Sequence, residues 1–162
     1  MQQLWAPWRM RYIESDKSGP CILCTKPGEQ ADRSNYILER TAHSFVMMNR
    51  FPYSNGHLLI SPYAHADRLS ALDDEAALDL TKTVGRAMER LQEAFSPEGF
   101  NVGLNFGKAA GAGIETHLHY HIVPRWNGDT NYMTLLAEVR VIPEHLDATY
   151  ERLLPHFQPR RP

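Results

Sequence analysis

The chain has 162 residues, 43% of them apolar and 22% charged, with a formal net charge of −2. That is length enough for one well-buried domain, and the near-balanced charge supplies no broad basic field for nucleic acid. No apolar run approaches a membrane span and residues 1–20 are too polar for a secretory signal, so a cytoplasmic protein with no membrane partner is expected.

In chain order, Trp5 and Trp8 come first and are read as packing residues in preference to rings that stack on a purine. The only two cysteines form Cys21-Ile-Leu-Cys24. Without other cysteines a disulfide framework is not expected, and C-x-x-C reads as either a zinc half-site or a redox pair. Tyr36–Leu38, Ser44–Met48 and His57–Ser61 read as strands, the last two joined by the turn-rich Phe51-Pro-Tyr-Ser-Asn-Gly56. Asp73 or Asp74 caps a helix predicted to run to about Phe95, with Ala77, Leu80, Val84, Met88 and Leu91 as its apolar stripe. Ser96-Pro-Glu-Gly99 stops it. Strands at Phe100–Phe106 and His117–Val123 follow, and Pro143 to about Leu154 reads as a final helix. Short hairpin-like links favour an α+β arrangement, an antiparallel sheet with helices on one side. One domain over 1–162 is expected, its core at about 21–126 with N- and C-terminal extensions packed on it.

The run Glu115-Thr-His-Leu-His-Tyr-His-Ile-Val-Pro-Arg-Trp126 carries the most information. His117, His119 and His121 alternate with Leu118, Tyr120 and Ile122, which predicts a strand with an apolar face to the core and an imidazole face to a cleft. Neighbouring imidazoles would lie roughly 7 Å apart. Each carries two nitrogens that need partners, so a core seldom asks for three. A structural metal strand and three half-exposed edge histidines are the plainer readings. Upstream, Asn105-Phe-Gly-Lys-Ala-Ala-Gly-Ala-Gly113 is a small-residue loop whose N–H groups can approach phosphate oxygens closely. Taken together, loop and histidines point to phosphorus chemistry with histidine as nucleophile.

This run, from Asn105 to Trp126, resembles the signature of the histidine triad superfamily of nucleotide hydrolases and transferases. Asn49-Arg-Phe-Pro-Tyr-Ser-Asn-Gly-His-Leu-Leu-Ile is similar to that family's ribose-binding strand, turn and Gly-His segment. Leu4–Ile13 and Pro124–Met133 look like the bacterial and archaeal subgroup allied to diadenosine polyphosphate hydrolases and phosphorylases. The resemblance implies an antiparallel sheet, a long helix, a C-terminal helix and pairing into a homodimer. It assigns His119 as the nucleophile at the α-phosphorus, His121 to phosphate binding or the leaving-group proton, and His57 to a place behind the nucleophile. It gives Asn49 to the ribose hydroxyls and Asn105 to the phosphates.

Gly113 departs from the pattern, because many members carry Gln or Ser four residues before the triad. Backbone amides of the loop, around Gly111 and Gly113, are then expected to meet the phosphates. The resemblance also completes the cysteine pair: Cys21 and Cys24 with His65 and His117 match a structural zinc site of some members. No protein-bound catalytic metal is required, although the polyphosphate can arrive carrying Mg²⁺.

The expected activity is nucleotide phosphoanhydride cleavage through a nucleotidyl-histidine, with diadenosine tetraphosphate hydrolysis ahead of phosphorolysis. Lys108 and Arg125 are the only signs of a second anion pocket. A nucleoside phosphoramidate hydrolase and a nucleotide-binding regulatory module are the other readings.

Overall fold

The computed structural model describes residues 19–129 and 144–158. In chain order these form α1 (Ile22–Gly28), α2 (Asp32–Asn35), β1 (Ile37–Arg40), β2 (Ser44–Met48), β3 (Leu58–Pro62), α3 (Asp74–Phe95), β4 (Gly99–Leu104), β5 (Tyr120–Arg125) and α4 (Leu146–Phe157). The strands make one antiparallel sheet in the order β1-β2-β3-β5-β4. This is the predicted α+β arrangement with its long and C-terminal helices. The calls at Trp5, Trp8 and Leu4–Ile13 fall outside the described residues, as do most of Asp129–Met133 and the start of the final helix at Pro143.

One sheet face presents Val46, Met48, Leu58, Ile60 and Ile122 to Leu80, Ala87 and Leu91 of α3 and to Tyr150, Leu153 and Phe157 of α4. Alternation sends Phe45, Met47 and Leu59 to the other face, where Leu23 of α1 covers them. Helices therefore lie on both faces, where the sequence predicted one. The missed element is α1, whose Pro27 and Gly28 read as a break; Pro27 is buried inside the helix.

Helix α3 begins as predicted, with the Asp73 carboxylate accepting from Ala76 N–H at 2.7 Å. Its buried row is Ala76, Leu80, Thr83, Ala87 and Leu91, turned slightly from the predicted stripe. Buried Thr83 can stand in that row because its hydroxyl meets the Ser44 hydroxyl oxygen at 3.2 Å. Ser44 and Thr41 also donate to Asp79, fixing α3 to the edge of β2.

Three boundaries moved for identifiable reasons. Tyr36 is not in β1: it has φ 56° and closes α2, its N–H reaching Arg33 and Asp32 carbonyls. β4 ends at Leu104, leaving Phe106 exposed beyond it. β5 begins at Tyr120 and not at His117. The ladder with β3 stops there because Pro62 has no N–H to donate. Leu118 N–H instead donates to Ala66 carbonyl at 2.7 Å, and Ser61 Oγ donates to Leu118 carbonyl at 3.2 Å. His117–His119 is thus an extended segment tied to the end of β3.

Candidate active site and metal centre

The turn between β2 and β3 brings the first histidine into place. Asn49 N–H donates to His57 carbonyl at 2.9 Å, His57 N–H to Ser54 carbonyl at 3.2 Å, and Phe51 N–H to Asn49 Oδ1 at 2.9 Å. Gly56 has φ +72° and lies against α3, where a Cβ would stand 3.1 Å from the Phe95 ring. The next residue, His57, is almost wholly buried.

Strand register carries the site across the sheet. Leu59 pairs with His121 from one side and Gly103 from the other, so His121 shares the face of Leu59 and α1. Within the predicted imidazole face the histidines differ in burial, and His121 is only half-buried. His117 is 0% exposed and His119 6%, which makes each imidazole's hydrogen bonding an obligation.

Those obligations fix the protons. His119 Nδ1 lies 2.9 Å from His117 carbonyl, which can only accept, so Nδ1 carries hydrogen and Nε2 keeps a bare lone pair. On the other side, Tyr53 N–H donates to His57 Nδ1 at 3.0 Å, and Asn49 Nδ2 lies 3.3 Å from the same nitrogen. His57 Nδ1 is therefore an acceptor and Nε2 the protonated nitrogen. His57 Nε2 stands 2.9 Å from His121 Nδ1, to which it donates, leaving the His121 proton on Nε2. The face so presents one unprotonated nitrogen on His119 beside one N–H on His121, their rings 4.9 Å apart.

Burial also holds these imidazoles neutral. It pushes His119 below the ordinary histidine range, against the opposing effect of the His117 carbonyl. His121 is pushed down to about 4, by burial first and by His119 second.

The glycine loop follows β4. Asn105 is half-buried just past the strand and makes no hydrogen bond among the described residues. Ile114, one residue past Gly113, packs on the same cluster as Leu59, so the loop folds back toward the imidazole face. Gly107 and Gly111 take φ of 75° and 84°. Gly111 N–H is spent on Lys108 carbonyl at 3.0 Å, so Gly111 shapes the loop and has no amide to offer phosphate. Gly113 is exposed, and its N–H has no backbone partner among the described residues. Arg125 is committed: it makes a bidentate pair with Asp129 at 2.5 and 2.7 Å and donates to Asn101 at 2.8 Å.

The cysteine pair meets its predicted partners. Cys21 Sγ lies 3.3 Å and Cys24 Sγ 3.4 Å from His117 Nδ1, and Cys24 Sγ lies 3.2 Å from His65 Nδ1. One ligand atom from each of the four falls within 4.8 Å of all the others. A tetrahedral zinc ion with bonds of about 2.3 Å to sulfur and about 2.0 Å to nitrogen separates its ligand atoms by about 3.5 Å. The four residues fit such an ion. His117 Nε2 lies 3.0 Å from Pro62 carbonyl, which takes its proton and leaves Nδ1 free to coordinate. Burial and the adjacent Cys21 push the Cys24 thiol up, a penalty that a cation between the sulfurs reverses. His117 thus belongs to both constellations, its ring in the metal set and its carbonyl on His119.

Two contributors were not legible in the sequence: Pro62 carbonyl, which carries no side-chain signal, and Tyr53, which read only as a turn residue.

The model of the HIT domain matches residues 30–128. The AP-4-A phosphorylase of Mycobacterium tuberculosis is 34% identical, over 100% of this chain and 87% of that protein. The adenosine 5'-monophosphoramidase hnt1 of Schizosaccharomyces pombe is 30% identical over 82% of this chain and 95% of its own length. Among solved structures, a zinc-bound histidine triad family protein from Mycobacterium smegmatis is similar in fold, with a TM-score of 0.68 at 24% identity, covering 85% of this chain and 92% of that one.

Proposed function

The chain belongs to the HIT domain family, and on that premise we propose that it transfers a nucleotidyl group from a dinucleoside polyphosphate to His119 and then to inorganic phosphate. It is a nucleotide-processing enzyme; the substrate, diadenosine tetraphosphate, and the acceptor are the finer part of this reading. The single observation behind it is the bond from His119 Nδ1–H to His117 carbonyl. A buried, neutral imidazole with a bare Nε2 is a nucleophile ready for phosphorus.

Nε2 attacks the α-phosphorus and the bridging P–O bond breaks, releasing ATP. His121 Nε2–H donates to phosphate oxygen as negative charge shifts, with Gly113 N–H as a further donor. An oxygen of inorganic phosphate then attacks the same phosphorus, the P–N bond breaks, and ADP leaves. Asn49 and Asn105 would orient the nucleoside and the phosphates.

Similarity to an AP-4-A phosphorylase across the entire chain supports phosphate as acceptor, against the hydrolysis expected from the sequence. Hydrolysis keeps one argument of its own, since Arg125 is bound to Asp129 and leaves Lys108 as the exposed cation of the loop.

In the metal centre, Cys21, Cys24, His65 and His117 would hold a structural zinc, whose chemistry is to pin the start of the triad segment. A homodimer joined along β4 is the matching assembly, since that edge of the sheet is exposed and Val102 is 41% exposed. We read the chain as one domain, with α4 packed on the core as its C-terminal extension. No described helix is long and apolar enough to cross a membrane.

Product analysis tests the reading. With diadenosine tetraphosphate and rising phosphate, ADP and ATP should form in equal amounts, and His119→Ala should lose turnover by about a thousandfold or more. AMP and ATP at every phosphate concentration would make the enzyme a hydrolase. Undiminished turnover by His119→Ala would remove the nucleophile assignment.

A further inference from the structure

Tyr53 sits where nothing in the triad chemistry requires an aromatic residue. Its ring lies nearly parallel to that of His121, at 17° and 5.9 Å between centroids, and 4.6 Å from that of His57. The ring is 45% exposed, whereas His57 beneath it is 1% exposed. Its main-chain N–H is the donor that makes His57 Nδ1 an acceptor. One residue therefore touches the His57–His121 pair in two ways, through the backbone and through the ring.

We propose that Tyr53 is a positioning residue for this reaction: its N–H fixes which nitrogen of His57, and hence of His121, carries the proton, while its ring shields the pair from water. The proposal rests on the nucleotidyl-transfer reading for its kinetic consequence, though not for its structural one.

The chain of donors has a direction only because it begins at a group that cannot accept. A backbone N–H is such a group, whereas water at His57 Nδ1 can donate or accept and so permits either tautomer. In the reversed chain His57 carries its proton on Nδ1 and His121 carries its own there too. His121 would then turn a lone pair toward the developing phosphate charge and repel it. The aromatic cover bears on protonation as well. The titratable groups facing His121 among the described residues are His119 from the segment just before β5 and His57 and Tyr53 from the turn; β4 places Gly103 opposite. None of these neutral groups favours a charged His121, and the ring keeps out the water that would.

The turn itself is braced from outside the matched domain. The Thr149 hydroxyl of α4 donates to Glu144 Oε2 at 2.8 Å and lies 3.1 Å from Asn55 Oδ1. Gly56 rests on Phe95 and Leu91 of α3. Replacing the Tyr53 ring should thus leave the turn in place and change only what covers the histidines.

The test uses the full chain with ¹⁵N-labelled histidine and backbone. In wild type, His57 and His121 should both be Nε2–H tautomers, with a coupling through the hydrogen bond from Tyr53 ¹⁵N to His57 Nδ1. In Tyr53→Ala the main-chain N–H remains, so both Nε2–H tautomers should persist, while the protonation midpoint of His121 should rise by about one unit or more as water reaches the pair. kcat for diadenosine tetraphosphate should fall about tenfold, while KM changes less than about threefold. Tyr53→Phe should match wild type in all three. An Nδ1–H tautomer at His57 in wild type overturns the proposal, as does a Tyr53→Ala protein with an unchanged His121 midpoint and unchanged kcat. A Tyr53→Phe loss equal to that of Tyr53→Ala also overturns it, because the hydroxyl would then be acting on substrate. If wild type does not cleave dinucleoside polyphosphates, the transfer reading fails, and the tautomer and midpoint measurements still decide the role of Tyr53.

Discussion

Gly56→Ala should be among the most damaging single-methyl changes in this protein, and its cost can be built from two terms. Gly56 has φ +72°, and an alanine held in that left-handed region costs roughly 1–2 kcal/mol. The new Cβ would stand 3.1 and 3.2 Å from two Phe95 ring carbons and 3.3 Å from Leu91 Cδ2. Leu91 is fully buried and the Phe95 ring lies under the Arg152 guanidinium, 4.5 Å from its centroid, so neither can simply swing away. Overpacking of this kind costs about 1–3 kcal/mol. Lower entropy of the unfolded alanine chain returns about 0.4–1 kcal/mol, leaving a net loss of about 1–5 kcal/mol. At roughly 2–4 °C per kcal/mol for a chain of this size, the melting temperature should fall by about 2–20 °C. Gly111→Ala is the control, since Gly111 has φ 84° and ψ 18°, in the left-handed region, and nothing within 4 Å of its virtual Cβ. It carries the backbone term alone, about 1 kcal/mol. Urea and thermal unfolding followed by far-ultraviolet circular dichroism compare the two variants. Equal losses within about 0.5 kcal/mol would refute the packing argument and leave only backbone strain.

Two further outcomes follow from the site. Protein purified without added metal should hold close to one zinc per chain, and Cys24→Ser or a strong chelator should lower stability by several kcal/mol; metal-free protein of unchanged stability would return the cysteines to plain thiols. Acid should destabilise the fold. His121 binds its proton at about 4 when folded and near 6.5 when unfolded, so the unfolded chain holds more protons between those values. Stability from this group is fully present above pH 6.5 and lost as pH falls toward 4; a flat unfolding free energy across that window would show that His121 is not shielded.

Patterns that repeat along the chain were legible in the sequence, and contacts made by backbone were not. Asp73 as cap, α3 from Asp74 to Phe95, and β2 at Ser44–Met48 follow from local chemistry and periodicity, and they stand where expected. The four metal-ligating side chains also meet, though the pairing of His65 and His117 with the cysteines came from family resemblance and not from spacing. What failed depended on partners distant in sequence. The strand call for His117–Val123 could not anticipate that Pro62, opposite on β3, would end the ladder. The expectation of helices on one side only missed α1, disguised by Pro27 and Gly28, whose Leu23 packs on Phe45, Met47 and Leu59 of the second side. Arg125 offered a phosphate ligand until Asp129, four residues later, took it.

Histidine burial bears directly on the chemistry. On an exposed strand the three imidazoles would titrate near pH 6.5, and a protonated His119 has no lone pair for phosphorus. Burial makes the neutral form the stable one, and it also demands a partner for every remaining N–H. A backbone group fixes each tautomer: His117 carbonyl accepts from His119, Pro62 carbonyl accepts from His117, and Tyr53 N–H donates to His57, whose own Nε2–H goes to His121 Nδ1. Backbone groups do not titrate, and a carbonyl or an N–H has a single hydrogen-bonding sense, so each fixes a tautomer that a side-chain partner would leave open. Those bonds leave two ring nitrogens over: His119 Nε2, which the proposed reaction needs bare, and His121 Nε2, whose N–H it needs as a donor.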